Sequence, residues 1–217
     1  MVTQETRLSG RKRMSGEDRR SQIIEVAAEL FSQNGFKGTT TKQIAESAGV
    51  SEAIIFRHFE NKQELYRAII DFKVGESLKQ LWLSSEDAMR RKDDRAVFEA
   101  LATEVLETHR KDPTLLRLLY YSALEGHELS KTFYSTIGKV AQERIAEYIR
   151  RRIEDKAFKK MDPVSSTRCF FSLVGHRAVV RELFQDSEWR KGSSREVAAE
   201  ITNIFLHGIV SDNTVSR

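Results

Sequence analysis

The sequence predicts an all-α chain of about nine helices, on three observations. Proline and glycine are scarce, 2 and 11 among 217 residues. Strands and tight turns consume those residues, so their scarcity favours long helices on short connections. Apolar residues recur three and four positions apart through most of the chain, which is the period of one helix face. Helix-start signals also repeat: Ser15 with Asp18, Thr40 with Gln43, Asn61 with Glu64, and Asp162 before Pro163. The composition agrees. Apolar residues at 40% and charged residues at 31% exclude a disordered chain and supply a wetted surface. The longest apolar runs, residues 53–56 and 118–121, hold four residues. A membrane span needs about 20, so none is expected.

The first helix starts at Ser15 and sets Ile23, Val26, Ala27, Leu30 and Phe31 on one face. Gly35 suits the left-handed residue that ends it. Thr40 opens a short second helix through Ile44 and Ala45 to Ala48, and Gly49 closes it. Ser51 stands where it can cap a third, running to about His58. Asn61 caps a long fourth helix through Leu65, Ile69, Phe72 and Leu78 to about Trp82. A fifth gathers Phe98, Leu101, Ala102, Val105 and His109 on one face. Asp112-Pro113 interrupts, because proline disfavours helix just before it. Residues 115–124 are apolar on most faces and predict a buried sixth helix. After Gly126, Phe133, Ile137, Val140, Ala141, Ile145 and Tyr148 mark one long seventh helix. It ends in basic residues 150–152, which suit the negative end of the helix dipole. Pro163 starts the eighth, to Gln185, and Ser194 the ninth, to residue 209.

The net charge of +4 is concentrated at the N-terminus. Residues 1–20 hold six basic side chains, Arg11 and Arg13 among them, against three acidic ones. Such an arm is either a solvated tail or a nucleic-acid arm, depending on the fold it precedes. The arm lacks the apolar stretch of a secretory signal, and the single Cys169 cannot form an internal disulfide. A cytoplasmic protein is expected, with Cys169 a small buried hydrophobe. The histidines His58, His109, His127, His176 and His207 are dispersed without metal-ligand spacing. There is no glycine-rich phosphate loop and no arguable serine, histidine and acid set. No metal, cofactor or catalytic residue is expected, and the chain is not read as an enzyme.

Residues 40–59 are the informative stretch. Two short helices around Gly49 make a helix-turn-helix, with Ile44, Ala45, Ala48, Val50, Ile55 and Phe59 packing them together. The second helix then turns Glu52, Ala53, Phe56 and Arg57 outward, with Ile54 and His58 on its flanks. A helix so presented fits the major groove of DNA. Helix pairs of this kind also occur in helical proteins that bind no DNA. The segments Thr40-Thr41-Lys42-Gln43-Ile44-Ala45, Ala48-Gly49-Val50-Ser51 and Ile55-Phe56-Arg57-His58-Phe59, followed by Asn61-Lys62 and Leu65, resemble the TetR/AcrR family of bacterial transcriptional regulators. The resemblance is dense over residues 20–70. Elsewhere it holds in outline, at residues 119–129, 162–163 and 204–209.

The resemblance implies an all-helical homodimer. Residues 1–62 are then the arm and the helix-turn-helix DNA-binding domain, and residues 63–217 a helical ligand-binding and dimerisation domain. Thr41 and Lys42 match positions that touch DNA backbone or a base. Ser51, Glu52, Ala53, Phe56, Arg57 and His58 match the recognition surface, and Lys62 a phosphate contact. Three positions depart from the pattern. Many members carry lysine or glutamine at the Glu52 position, threonine at Ile54 and tyrosine at Phe56. A carboxylate cannot neutralise a phosphate, although it can accept from the cytosine amino group.

The body is aromatic, and the resemblance implies a ligand cavity there. Phe98, Leu119, Tyr120, Ala123, Phe133, Phe170, Val174 and Arg177 are the candidate lining. Arg177 is either an interface arginine or the partner of an anionic head group. The last two helices carry broad apolar faces, so Val180, Phe184, Val197, Ile201, Phe205 and Gly208 are the candidate dimer interface. The expected function is a ligand-responsive DNA-binding regulator, most simply a repressor. Its partners are double-stranded operator DNA, a hydrophobic or amphipathic small-molecule effector, and itself. Two alternatives stand beside it: an effector-less architectural, nucleoid-type DNA-binding protein, and a small-molecule binding module with weakened DNA binding.

Overall fold

Ser15, Thr40 and Asn61 form the caps that the sequence predicts, which fixes where the first, second and fourth helices begin. The computed structural model describes residues 14–207, which form ten α-helices, one π-helical turn and no strand. They are α1 (Gly16–Gly38), α2 (Thr41–Ala48), α3 (Glu52–His58), α4 (Lys62–Arg91) and α5 (Asp94–Lys111). Then follow α6 (Thr114–Leu124), α7 (Glu128–Ser135), α8 (Ile137–Glu154), α9 (Pro163–Val179), the π turn Val180–Phe184, and α10 (Ser194–His207). Ser15 with Asp18 and Thr40 with Gln43 close full capping boxes, and Asn61 accepts from the Glu64 amide at 2.9 Å.

Two elements differ from expectation. α4 runs past Trp82 to Arg91. The hydroxyls of Ser84 and Ser85 donate back to the Leu81 carbonyl at 3.0 and 2.9 Å, so these serines are satisfied inside the helix instead of breaking it. The single helix expected through Phe133 and Tyr148 is two, because Thr136 leaves helical geometry at φ −111, ψ −77. That break accounts for ten helices where nine were expected.

Two buried clusters organise the chain. The first joins α1, α2, α3, the first half of α4, and α6 through Ile23, Phe31, Ile44, Ile55, Tyr66 and Leu118. The second joins the rest of α4 to α5, α8, α9 and α10 through Phe98, Leu101, Ile149, Phe170 and Val174. Full burial of one such side chain contributes about 1.5–3 kcal/mol. Each cluster therefore supplies a large share of the stability.

The second cluster corrects part of the expected dimer interface. α10 lies along α5 of its own subunit. Val197 is buried there, Ile201 packs against the same core, and the Phe205 ring sits 4.9 Å from Phe98 and 5.1 Å from Phe170. Val197 faces inward, while Ile201 and Phe205 touch this core and stay half-buried, because the Phe98 and Phe170 rings offer the stripe a surface within the same chain. Cys169 is another correction: it is exposed on the outer face of α9. Gly208 lies outside the described residues.

Candidate nucleic-acid interface and effector cavity

Gly49 sets the angle between α2 and α3. It adopts φ 65, which a side chain resists, and its N–H bonds the carbonyls of Ala45 and Glu46. The Val50 amide closes on the Ala45 carbonyl at 2.9 Å. Ile44, Ala45, Ala48, Ile55 and Phe59 are buried between the helices. Lys42, Ser51, Ala53, Phe56 and Arg57 remain exposed. Ser51 takes the N-cap position without a side-chain bond. Glu52 is half-buried and fixed, because Thr41 Oγ1 donates to its Oε2 at 2.7 Å. His58 is half-buried beside Phe59. The exposed apolar side chains on α3, Ile54 at 36% and Phe56 at 48%, suit thymine methyl groups.

Lys62 stands differently from its expected role at a phosphate. Its Nζ donates to the Phe36 carbonyl and lies 4.2 Å from the centre of the Phe36 ring. Burial lowers its pKa, with Glu125 pulling the other way. Phe36 gives the ammonium both an acceptor and a ring face within the fold. Arg11 and Arg13 lie outside the described residues.

The end of α1 is bolted to α6. Arg117 Nε donates to the Ser32 carbonyl at 2.7 Å and Tyr121 Oη to the Gln33 carbonyl at 2.9 Å. Glu125 accepts from the amides of Phe36 at 3.0 Å and Lys37 at 3.2 Å. Gly35 makes room for this clasp. Its φ is 73, and a Cβ there would stand 2.5 Å from Glu125 Oε1. The Tyr66 hydroxyl adds a bond from α4 to the Leu118 carbonyl at 3.1 Å.

A cavity of about 210 Å³ opens in the body beside this joint. Val74, Leu78 and Leu81 of α4 face Val105, Thr108 and His109 of α5, with Phe133 and Tyr134 of α7, Ala141 of α8 and Phe171 of α9 completing the wall. Val74 and Leu115 line the cavity and also belong to the first core. Burial pushes the His109 imidazole pKa down, with Asp112 opposing, and its Nδ1 is buried without a hydrogen-bond partner.

Of the eight lining residues expected, the cavity includes Phe133. Phe98, Phe170 and Val174 are fully buried in the second core, packed with no room for a ligand. Leu119 packs in the first core. Tyr120 and Ala123 are exposed on the outside of α6. Arg177 stacks 5.1 Å over Trp189 and donates to the Lys191 carbonyl at 3.0 Å, so it holds the loop before α10. Sequence reasoning missed the α4 wall and His109. The visible signal was a histidine on the apolar face of α5.

Two family patterns match the chain: bacterial regulatory proteins of the tetR family over residues 23–69, and the C-terminal domain of AefR-like transcriptional repressors over residues 97–208. The nucleoid occlusion factor SlmA of Haemophilus ducreyi is 32% identical over 120 residues, 53% of this chain. The match spans 57% of that relative, little over half its length. FadR from Bacillus subtilis, in complex with stearoyl-CoA, shares the fold at TM-score 0.71 and 18% identity, over 88% of this chain and 99% of its own. AibR, in complex with isovaleryl coenzyme A and operator DNA, does so at TM-score 0.69 and 17% identity, over 87% and 98%. With its helix-turn-helix, its clasped α6 and both family patterns in place, the chain belongs to the TetR family of bacterial regulatory proteins.

Proposed function

We propose that the chain is a cytoplasmic, homodimeric transcriptional repressor that leaves its operator when a small, mostly apolar effector enters the body cavity. Residues 1–62 form the reading head, and residues 63–217 receive the effector and pair the subunits. One observation carries this reading: Val74 and Leu115 belong to the wall of the cavity and to the core of the head at once. An occupant that presses on them displaces α4 and α6, and α6 grips the end of α1 through Arg117, Tyr121 and Glu125. The ligand then needs to favour one arrangement by only about 1–3 kcal/mol to change DNA affinity several-fold. FadR with stearoyl-CoA and AibR with isovaleryl coenzyme A and operator DNA support a fold that joins a small ligand to DNA binding.

The pairing surface is the outer stripe of α9 and α10. Leu173 is 44% exposed, Ile204 47% and Phe184 75%, with Val180 half-buried between. A two-fold axis there sets two α3 helices in successive major grooves, about 34–36 Å apart. The SlmA relative favours a second reading, a nucleoid-associated protein. Gel shifts on genomic fragments with nonspecific competitor separate the two. Discrete shifted fragments support a repressor, and uniform shifting supports the nucleoid role. No shift at moderate salt sinks both.

A further inference from the structure

We propose that the effector is a small lipophilic cation, an amine or quaternary ammonium on an aromatic or aliphatic body, held by the Glu104 carboxylate and the rings of Phe133, Tyr134 and Phe171. This rests on the reading of the body as an effector-binding domain. Among the described residues the cavity lining holds one carboxylate and neither lysine nor arginine. Glu104 is half-buried, and among the described residues its one partner is the Thr108 hydroxyl on its own helix, at 3.2 Å. Neighbouring half-buried carboxylates are paired: Asp94 with Arg152 at 2.7 Å, and Asp112 with Lys73 at 2.6 Å. Glu104 departs from that pattern on the wall of the cavity.

Glu104, Thr108 and Leu115 also line an outer groove with Lys73 and Lys111, so the carboxylate stands at the threshold of the cavity. Lys73 is committed to Asp112. His109 brings no compensating positive charge, because burial keeps its ring neutral at pH 7. Ring faces attract a cation, and more strongly once it is desolvated. A carboxylate or phosphate head group would meet Glu104 as a like charge. The cavity of about 210 Å³ has room for the body of such a cation between the rings.

Calorimetric titration of the full chain with phenylbutylamine, phenylbutanol and phenylbutyrate varies the head group on one body. The amine should bind at least about tenfold more tightly than the alcohol, with the carboxylate weakest. Glu104→Gln should bring the amine down to the alcohol and leave the alcohol unchanged. Val105→Trp and Ala141→Phe each fill the cavity and should abolish binding; two variants, checked by circular dichroism, guard against one misfolding. If the alcohol or carboxylate binds as tightly as the amine, and the filled variants lose it, the cation is overturned while the effector cavity stands. If none of the three binds, or filled variants bind as the parent does, both ideas fall.

Discussion

The head and the body bury their apolar side chains under different rules. Where the head meets the body the rings of Phe31, Phe36, Tyr66 and His127 pack together, with centres 4.5 to 5.8 Å apart, Phe31 stacked on Phe36 and the others tilted or edge-on. In the body, α4 and α5 pack on each other and still leave about 210 Å³ of space beside them. Packing density resists compression, so the head moves as a unit. An open cavity lets its walls shift at small cost. The difference is one of packing: the joint is filled by rings, and the α4 wall of the body faces space. Truncation breaks the comparison most directly. Phe31→Ala should cost about 3–5 kcal/mol, whereas Leu78→Ala, at a wall that already faces space, should cost about 1–2 kcal/mol. Urea denaturation measures both, and equal losses would erase the distinction.

The joint between the regions comes next in size. Glu125→Ala strips the acceptor from two backbone amides and should cost about 1–3 kcal/mol. Gly35→Ala forces a positive φ and drives a Cβ toward Glu125 Oε1. The two changes should be less than additive, because Glu125→Ala removes part of the clash. A double-mutant cycle that sums without interaction would place Gly35 outside the clasp.

How much of this was legible in the sequence also divides at the joint. The head was readable because its determinants are local. Ser15, Thr40 and Asn61 cap within three residues, and Gly49 needs φ 65 whatever lies elsewhere. The body depends on which apolar stripe meets which. Phe205 and Ile204 are adjacent, and periodicity alone does not say that Phe205 turns to Phe98 while Ile204 faces out. The cavity was illegible for the same reason, since this void is a property of six helices together. Lys62 shows the limit inside the head: its motif position implied a phosphate, and nothing in the motif showed that the Phe36 carbonyl also accepts from it.

DNA binding sharpens that last point. Arg57→Ala removes an exposed recognition-helix cation and should cost about 1–3 kcal/mol on the operator, with preference relaxed at one base position. Lys62→Ala should lower folding stability by about 1 kcal/mol and leave the salt slope of binding unchanged, because its charge is already engaged. Gel shifts across a salt series, beside thermal melts, read both. A slope that flattens by about one unit in Lys62→Ala would return it to the phosphates.

The smallest effect is a pH dependence that the two regions share for different reasons. Burial depresses the pKa of His109 in the cavity wall, against the pull of Asp112. Burial also depresses that of His127, stacked on Phe36, against Glu125 and Glu128. In the unfolded chain both bind a proton as pH falls below about 6.5. In the folded chain both resist it, so the unfolded state holds more protons and stability falls with acidification through that window. His109→Gln and His127→Gln should each flatten the decline between neutral and mildly acid pH, by less than the joint substitutions cost. His109 is the more deeply desolvated of the two, so the His109 variant should flatten it more. Chemical denaturation along a pH series decides this. A decline as steep in both variants as in the parent would mean that neither ring is kept neutral by its core.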